Sequence, residues 1–211
     1  LNNDFLNGND IIGQNELVAL SVNNPSGIRG FVVFNKHTNV TLGTYTHNAT
    51  NENRYLAKFN DIDNEFVTLS DTRIDYYDLD SNGAIITHSF KTHNSNVANK
   101  NIVISPDGQY IVGYRGGLIY KKDLNTTLQI SGNVDYNAYE FSEIGDKLYA
   151  ASGNKVYIYS FPSLTLESII DANISIEELF VDNGKLMLIG VLNPTSPSNT
   201  YIEIIDLWSV F

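Results

Sequence analysis

The chain has 211 residues, with 24 acidic against 13 basic side chains and a formal net charge of −11. That balance excludes nucleic-acid binding through bulk charge, which needs clustered Lys and Arg, and the absence of cysteine excludes disulfides, thiolate catalysis and Cys-ligated zinc. With 42% hydrophobic and 18% charged residues the chain can bury a core, and no run reaches the ~20 apolar residues of a transmembrane segment.

In chain order the elements repeat one pattern of short strands and turns. Residues 1–13 are rich in Asn, Asp and Gly and read as a poor strand former. A first copy follows, with apolar runs Glu16–Ser21, Gly30–Phe34 and Val40–Tyr45. A second has Phe66–Ser70, Arg73–Asp78 and, beyond an Asn82-Gly83 hairpin turn, Ala84–Phe90. The third, Asn101–Ile130, shows the whole grammar. A strand leads into Ser105-Pro-Asp-Gly108, a second strand into a Gly-Gly turn, then come a third strand, a polar turn and a fourth strand. Pro presets φ in that first turn, Asp bonds the backbone ahead and Gly accepts a positive φ. The fourth copy, Tyr139–Ile170, turns at Glu143–Asp146, Ser152–Asn154 and Pro162-Ser163. The fifth has Leu179–Val181, Lys185–Gly190 and Tyr201–Leu207. The runs are rich in Val, Ile, Tyr, Phe and Thr, which is a strand composition. The stretch Leu164–Phe180, closest to a helical pattern, reads as strand, turn, strand.

Taking one marker per second strand, Leu17, Phe66, Tyr110, Leu148 and Leu186 are spaced by 49, 44, 38 and 38 residues. Their mean lies within the roughly 40–45 residues of a four-stranded propeller blade. Ile104-Ser-Pro-Asp-Gly-Gln-Tyr-Ile-Val112 resembles the first hairpin of β-propellers of the YVTN and WD40 groups, and Val156–Ser160 and Tyr201–Asp206 resemble their third strands. The Gly-His dipeptide and Trp-Asp ending of a WD40 blade are absent, which favours a YVTN-like or quinoprotein-like type. The resemblance implies an all-β chain, one β-propeller domain over 1–211, with blades at about 11–46, 55–90, 101–131, 139–170 and 177–211. Five blades closing into a ring is the first expectation, and a fragment of a larger propeller is the alternative.

Few residues stand out for chemistry. Asp78, Asp80 and Asn82 match the start of a Ca2+ loop, where oxygens at alternate positions and a following Gly suit a hard cation, although Ser89 stands where the bidentate Glu belongs. The same residues also suit a hairpin turn. His37, His47, His88 and His93 share no metal-ligand spacing and read as structural or solvated. No Gly-x-Ser-x-Gly or phosphate-binding Gly loop occurs, and no catalytic residue is assigned. Tyr114, Arg115, Tyr120 and Lys121, with Lys122, form a small basic and aromatic cluster, a candidate ligand-binding surface. A Tyr on such a strand also suits packing between blades. The expected function is a non-catalytic interaction module taking a protein or carbohydrate partner at a loop face, extracellular, periplasmic or on the cell surface of a bacterium. A propeller glycosidase or lactonase-like hydrolase with an axial site, and a cytoplasmic WD40-like scaffold, are the alternatives.

Overall fold

Antiparallel pairing between strands adjacent in sequence generates every sheet of the chain. The computed structural model describes residues 8–14, 17–23, 29–35, 37–47, 56–60, 62, 64–70, 73–82, 84–92, 98–195 and 199–209. These residues belong to two units, 1–98 and 99–211. Among them no helix is long and apolar enough to cross a membrane.

The first unit holds two four-stranded meanders. Strands β1 (Gly8–Gln14), β2 (Leu17–Asn23), β3 (Arg29–Asn35) and β4 (Thr41–His47) pair in order, as do β5 (Leu56–Asn60), β6 (Glu65–Leu69), β7 (Arg73–Leu79) and β8 (Ile85–Thr92). For residues 8–13, β1 corrects the expectation of a poor strand former, and residues 1–7 lie outside the described residues. Ile11 and Ile12 stand opposite Leu20 and Ala19, and a register break between Gly8 and Ile11 accommodates the polar pair between them. Pairing with a β-rich neighbour outweighs residue propensity here. Val33 of β3 packs with Phe59, Phe66, Tyr77 and Leu79, which joins the two sheets.

The second unit holds three sheets. The first two are β9 (Ala98–Ile104), β10 (Tyr110–Tyr114), β11 (Leu118–Lys121) and β12 (Thr127–Gln129), then β13 (Ala138–Phe141), β14 (Lys147–Ser152), β15 (Lys155–Ser160) and β16 (Leu166–Asp171). The third has β17 (Ser175–Asp182), β18 (Lys185–Val191) and β19 (Tyr201–Asp206), followed by a 3-10 turn, Leu207–Ser209. The strands follow the turn punctuation of the sequence, including the strand, turn, strand reading of 164–180.

Burial follows position in the sheet. β6 is buried along its whole length and β10 over its last four residues, whereas β8 and β16 are largely exposed. A middle strand covered on both faces carries continuous apolar sequence, and an outer strand does not. One core, with Val112, Ile119, Tyr139, Leu148 and Ala150, lies between the first two sheets of the second unit. Another, with Ala151, Val156, Ile158, Leu179, Leu186 and Leu188, lies between the second and third. Phenols enter the first core only with their hydroxyls paired: Tyr136 and Tyr159 share a 2.7 Å hydrogen bond, and Tyr139 donates to the Tyr114 carbonyl at 2.8 Å. Burial pushes the Tyr136 and Tyr139 phenols far above their ordinary range and the Tyr149 phenol up to about 12.

Candidate interaction surface

A meander sends successive turns to alternate ends of its sheet, so turns between first and second and between third and fourth strands share one end. In the second unit that end carries 105–109, 122–126, 142–146, 161–165 and 183–184. The opposite end carries 115–117, 153–154 and the connections 130–137 and 172–174.

The sequence-predicted ligand cluster divides between core and turn. Tyr114 and Tyr120 are buried in the sheet, their rings edge to face at 6.1 Å, so these phenols are core and offer no surface. Both lie on the buried stretches of β10 and β11. Arg115 opens the turn at 115–117. Its carbonyl accepts the Tyr136 N–H at 2.8 Å, and its Nε is buried without a hydrogen-bond partner among the described residues. Lys121 is half-buried at the other end of β11. Arg115 and Lys121 therefore stand at opposite ends of one strand and form no joint site.

Asp78, Asp80 and Asn82 take the places of a hairpin. Asp80 Oδ1 accepts the N–H groups of Asn82 and Ala84 at 2.8 and 2.9 Å, which commits that oxygen to the turn. Asp78 accepts the Thr87 hydroxyl across β7 and β8, and Asn82 is exposed. Gly83 lies outside the described residues, as do His93 and the side chain of His47. No group of three or more His, Asp or Glu side chains able to hold a metal ion occurs among the described residues. His37 is exposed in a turn.

His88 has a role its spacing did not announce. Its Nε2 lies 2.7 Å from Asp75, which is 1% exposed and takes the Arg73 Nε at 2.8 Å. The His88 ring stacks on Tyr77 at 4.5 Å, and the Arg73 guanidinium sits 3.9 Å over Phe90. Burying Asp75 demands such partners. On the other face of β7, Glu65 accepts from Asn60 at 2.7 Å and from the Tyr76 hydroxyl, and burial with that bond pushes the Tyr76 phenol up.

The two most exposed large apolar side chains among the described residues stand at the 142–146 end of the second unit. Ile144 is 81% exposed at the tip of its turn, and Trp208 is 82% exposed in the 3-10 turn. The indole lies over Gly184, where a Cβ would come within 2.2 Å of Trp208 Nε1. The Leu207 N–H bonds the Gly184 carbonyl at 2.9 Å and the Trp208 N–H bonds Asp206 at 3.0 Å, which anchor the backbone beneath the ring. Asn183 N–H donates to the Glu143 carboxylate, tying this turn to the one that carries Ile144. A Cβ at Gly145 would contact Pro106, so the next turn is continuous with these. At the opposite end an open cleft of about 560 Å³ is lined by Gly116, Gln129 and 130–135.

No family model matches the chain, and no curated protein matches it. Among solved structures, a chain in the crystal structure of a mitotic checkpoint complex aligns over 91% of this chain with a TM-score of 0.62 and 12% identity. The fold is that of a β-propeller. This propeller chain spans 64% of the length of that neighbour. The likeness extends to 851 solved chains, so it identifies the architecture, while function in a propeller belongs to the loops.

Proposed function

We propose that this propeller chain is a non-catalytic module that binds a protein partner through the turn end carrying Ile144 and Trp208. The observation that carries the reading is Trp208: a large aromatic side chain, 82% exposed, on a backbone fixed by the Gly184 and Asp206 hydrogen bonds. Trp is over-represented among residues that dominate interface energy, and one held in place beforehand loses little conformational freedom on binding. The shared fold with a chain of a mitotic checkpoint complex supports the same class of function.

The test is affinity capture with three proteins: the unaltered chain, the Trp208→Ala, Ile144→Ser double variant, and Asp135→Asn at the opposite end. The reading expects a discrete partner held by the first and third and lost by the second. Equal capture by all three refutes it.

A further inference from the structure

The exposed apolar pair sits in a line of turn tips whose charge is one-sided. Trp208 lies over Gly184, Asn183 bonds Glu143, Ile144 follows, and Gly145 meets Pro106. Along this line Asp107, Glu143, Asp146 and Asp182 are exposed. Of the nearby cations, Lys147 is engaged by Glu167 at 3.3 Å, Lys185 stands opposite Asp182 and Asp206 in the β17–β18 and β18–β19 registers, and Lys121 and Lys122 lead into the 122–126 turn, where Lys121 acts on Asp123, so the carboxylates outnumber the cations along this end. Several of the carboxylates are held by their own turns: Asp107 takes the Gln109 N–H at 3.0 Å, Asp146 the Ser142 hydroxyl at 2.6 Å, and Asp182 the Asn183 amide at 3.0 Å. These contacts fix the carboxylates in place while leaving them at the surface. The result is two apolar anchors set among oriented negative charges on a chain that is itself strongly acidic.

We infer that this edge, running from Trp208 through Glu143 and Ile144 to Asp107, receives a basic segment of a partner protein, in which Lys or Arg alternates with large aliphatic or aromatic side chains. The inference rests on the module reading above and adds the chemistry of the partner. The apolar side chains cover Trp208 and Ile144, which removes their surface from water. The cations meet Asp182, Glu143, Asp146 and Asp107, which steer association and set its orientation. Turns from three successive sheets contribute, so the segment lies across them, and the Glu143 to Asn183 bond fixes the spacing of two of them.

The chain carries a single Trp, so the emission of Trp208 reports this site directly. The probe is a Trp-free peptide of about a dozen residues alternating Lys with Leu, titrated against the full chain and compared with a Glu and Leu peptide. The Lys peptide shifts the emission to the blue with saturation, and the Glu peptide does not. Ile144→Ser and Asp182→Lys each weaken the Lys peptide at least tenfold, whereas Asp135→Asn leaves it within twofold. Raising salt from roughly 0.05 to 0.5 M weakens it by about tenfold or more, because exposed charges are screened. For Trp208→Ala, which removes the fluorophore, calorimetry reads the same loss.

Four results overturn the inference. They are no blue shift with the Lys peptide, an equal shift with the Glu peptide, an equal loss in Asp135→Asn, and a concentration-dependent doubling of mass in the unaltered chain that Ile144→Ser abolishes. The last would assign the edge to a second copy of the chain. If the peptide fails while the captured partner is still lost by the double variant, the partner's chemistry is refuted and the module reading stands. If the double variant keeps every partner, the reading itself falls.

Discussion

Gly190 offers the sharpest test of how the last sheet is built. It lies in β18 opposite Ile176, beside the register break between Ile176 and Glu178. A Cβ placed on it would come within 2.0 Å of the Ser175 carbonyl oxygen, 2.8 Å of its carbon and 3.1 Å of the Ile176 Cα. All three are backbone atoms, so no side-chain rotation relieves the contact. Ordinary van der Waals contact begins near 3.4 Å, and the β17 backbone would have to retreat by more than an ångström. Overpacking of a filled core costs about 1–3 kcal/mol, and a clash with backbone belongs at or above the top of that range. For a chain of this size each kcal/mol lowers Tm by about 2–4 °C, so Gly190→Ala should melt about 6–12 °C early. Gly116 supplies the control, since it has nothing within 4 Å and no positive φ. Gly116→Ala should be neutral or gain up to about 1 kcal/mol by restricting the unfolded chain. Thermal denaturation followed by far-ultraviolet circular dichroism reads both. A Gly190→Ala protein that melts with the unaltered one would refute the close approach of β17 and β18.

Other consequences follow from the same contacts. Tyr159→Phe strips Tyr136 of its hydroxyl partner inside the core and should cost about 1–3 kcal/mol in urea unfolding. Asp75→Ala leaves Arg73 and His88 facing a void and should cost about 2–4 kcal/mol, reduced from the fully buried case because both partners are part-exposed. Gly184→Ala pushes the indole off its seat and puts a Cβ at φ 68°, so the emission of the single Trp should change and stability should fall by about 1–2 kcal/mol, read as an earlier melting temperature. In alkali the phenols of Tyr76, Tyr136, Tyr139 and Tyr149 hold their protons in the folded state above the pH at which the unfolded chain releases them. The folded state then binds more protons than the unfolded one, so stability is complete below about pH 10 and declines as pH rises toward 12. A pH series of urea midpoints checks the sign, and a midpoint that rose across that window would contradict the burial.

The strand grammar was legible because its cues are local. Ser105-Pro-Asp-Gly108 closes its turn with a 2.7 Å bond from the Gly108 N–H to the Ser105 carbonyl, with Gly108 at φ 70°. The copies around it carry the same information in Gly145, Gly153 and Gly184, all at positive φ. What was not legible depends on who lies across the sheet. Tyr114 and Tyr120 are residue types that suit surface and core alike, and only their burial in the folded sheet makes them core. His88 and Asp75 are 13 residues apart and meet because β7 and β8 pair in the register that sets Tyr77 opposite His88. Asp80 resembled a metal ligand because the residues that bind hard cations also cap turns. Trp208 gave a signal of a kind, a lone Trp beyond a strand that ends in Asp206, but its exposure required knowing that Gly184 lay beneath it.

Hydrogen exchange of the full chain, with and without the Lys and Leu peptide, tests most directly whether the Ile144 and Trp208 edge is the working surface. Exchange should slow at 142–146 and 182–185 and in the 3-10 turn, with 115–117 and 130–137 unchanged. Protection centred on 115–117 and 130–137, around the cleft at the opposite end, would contradict it.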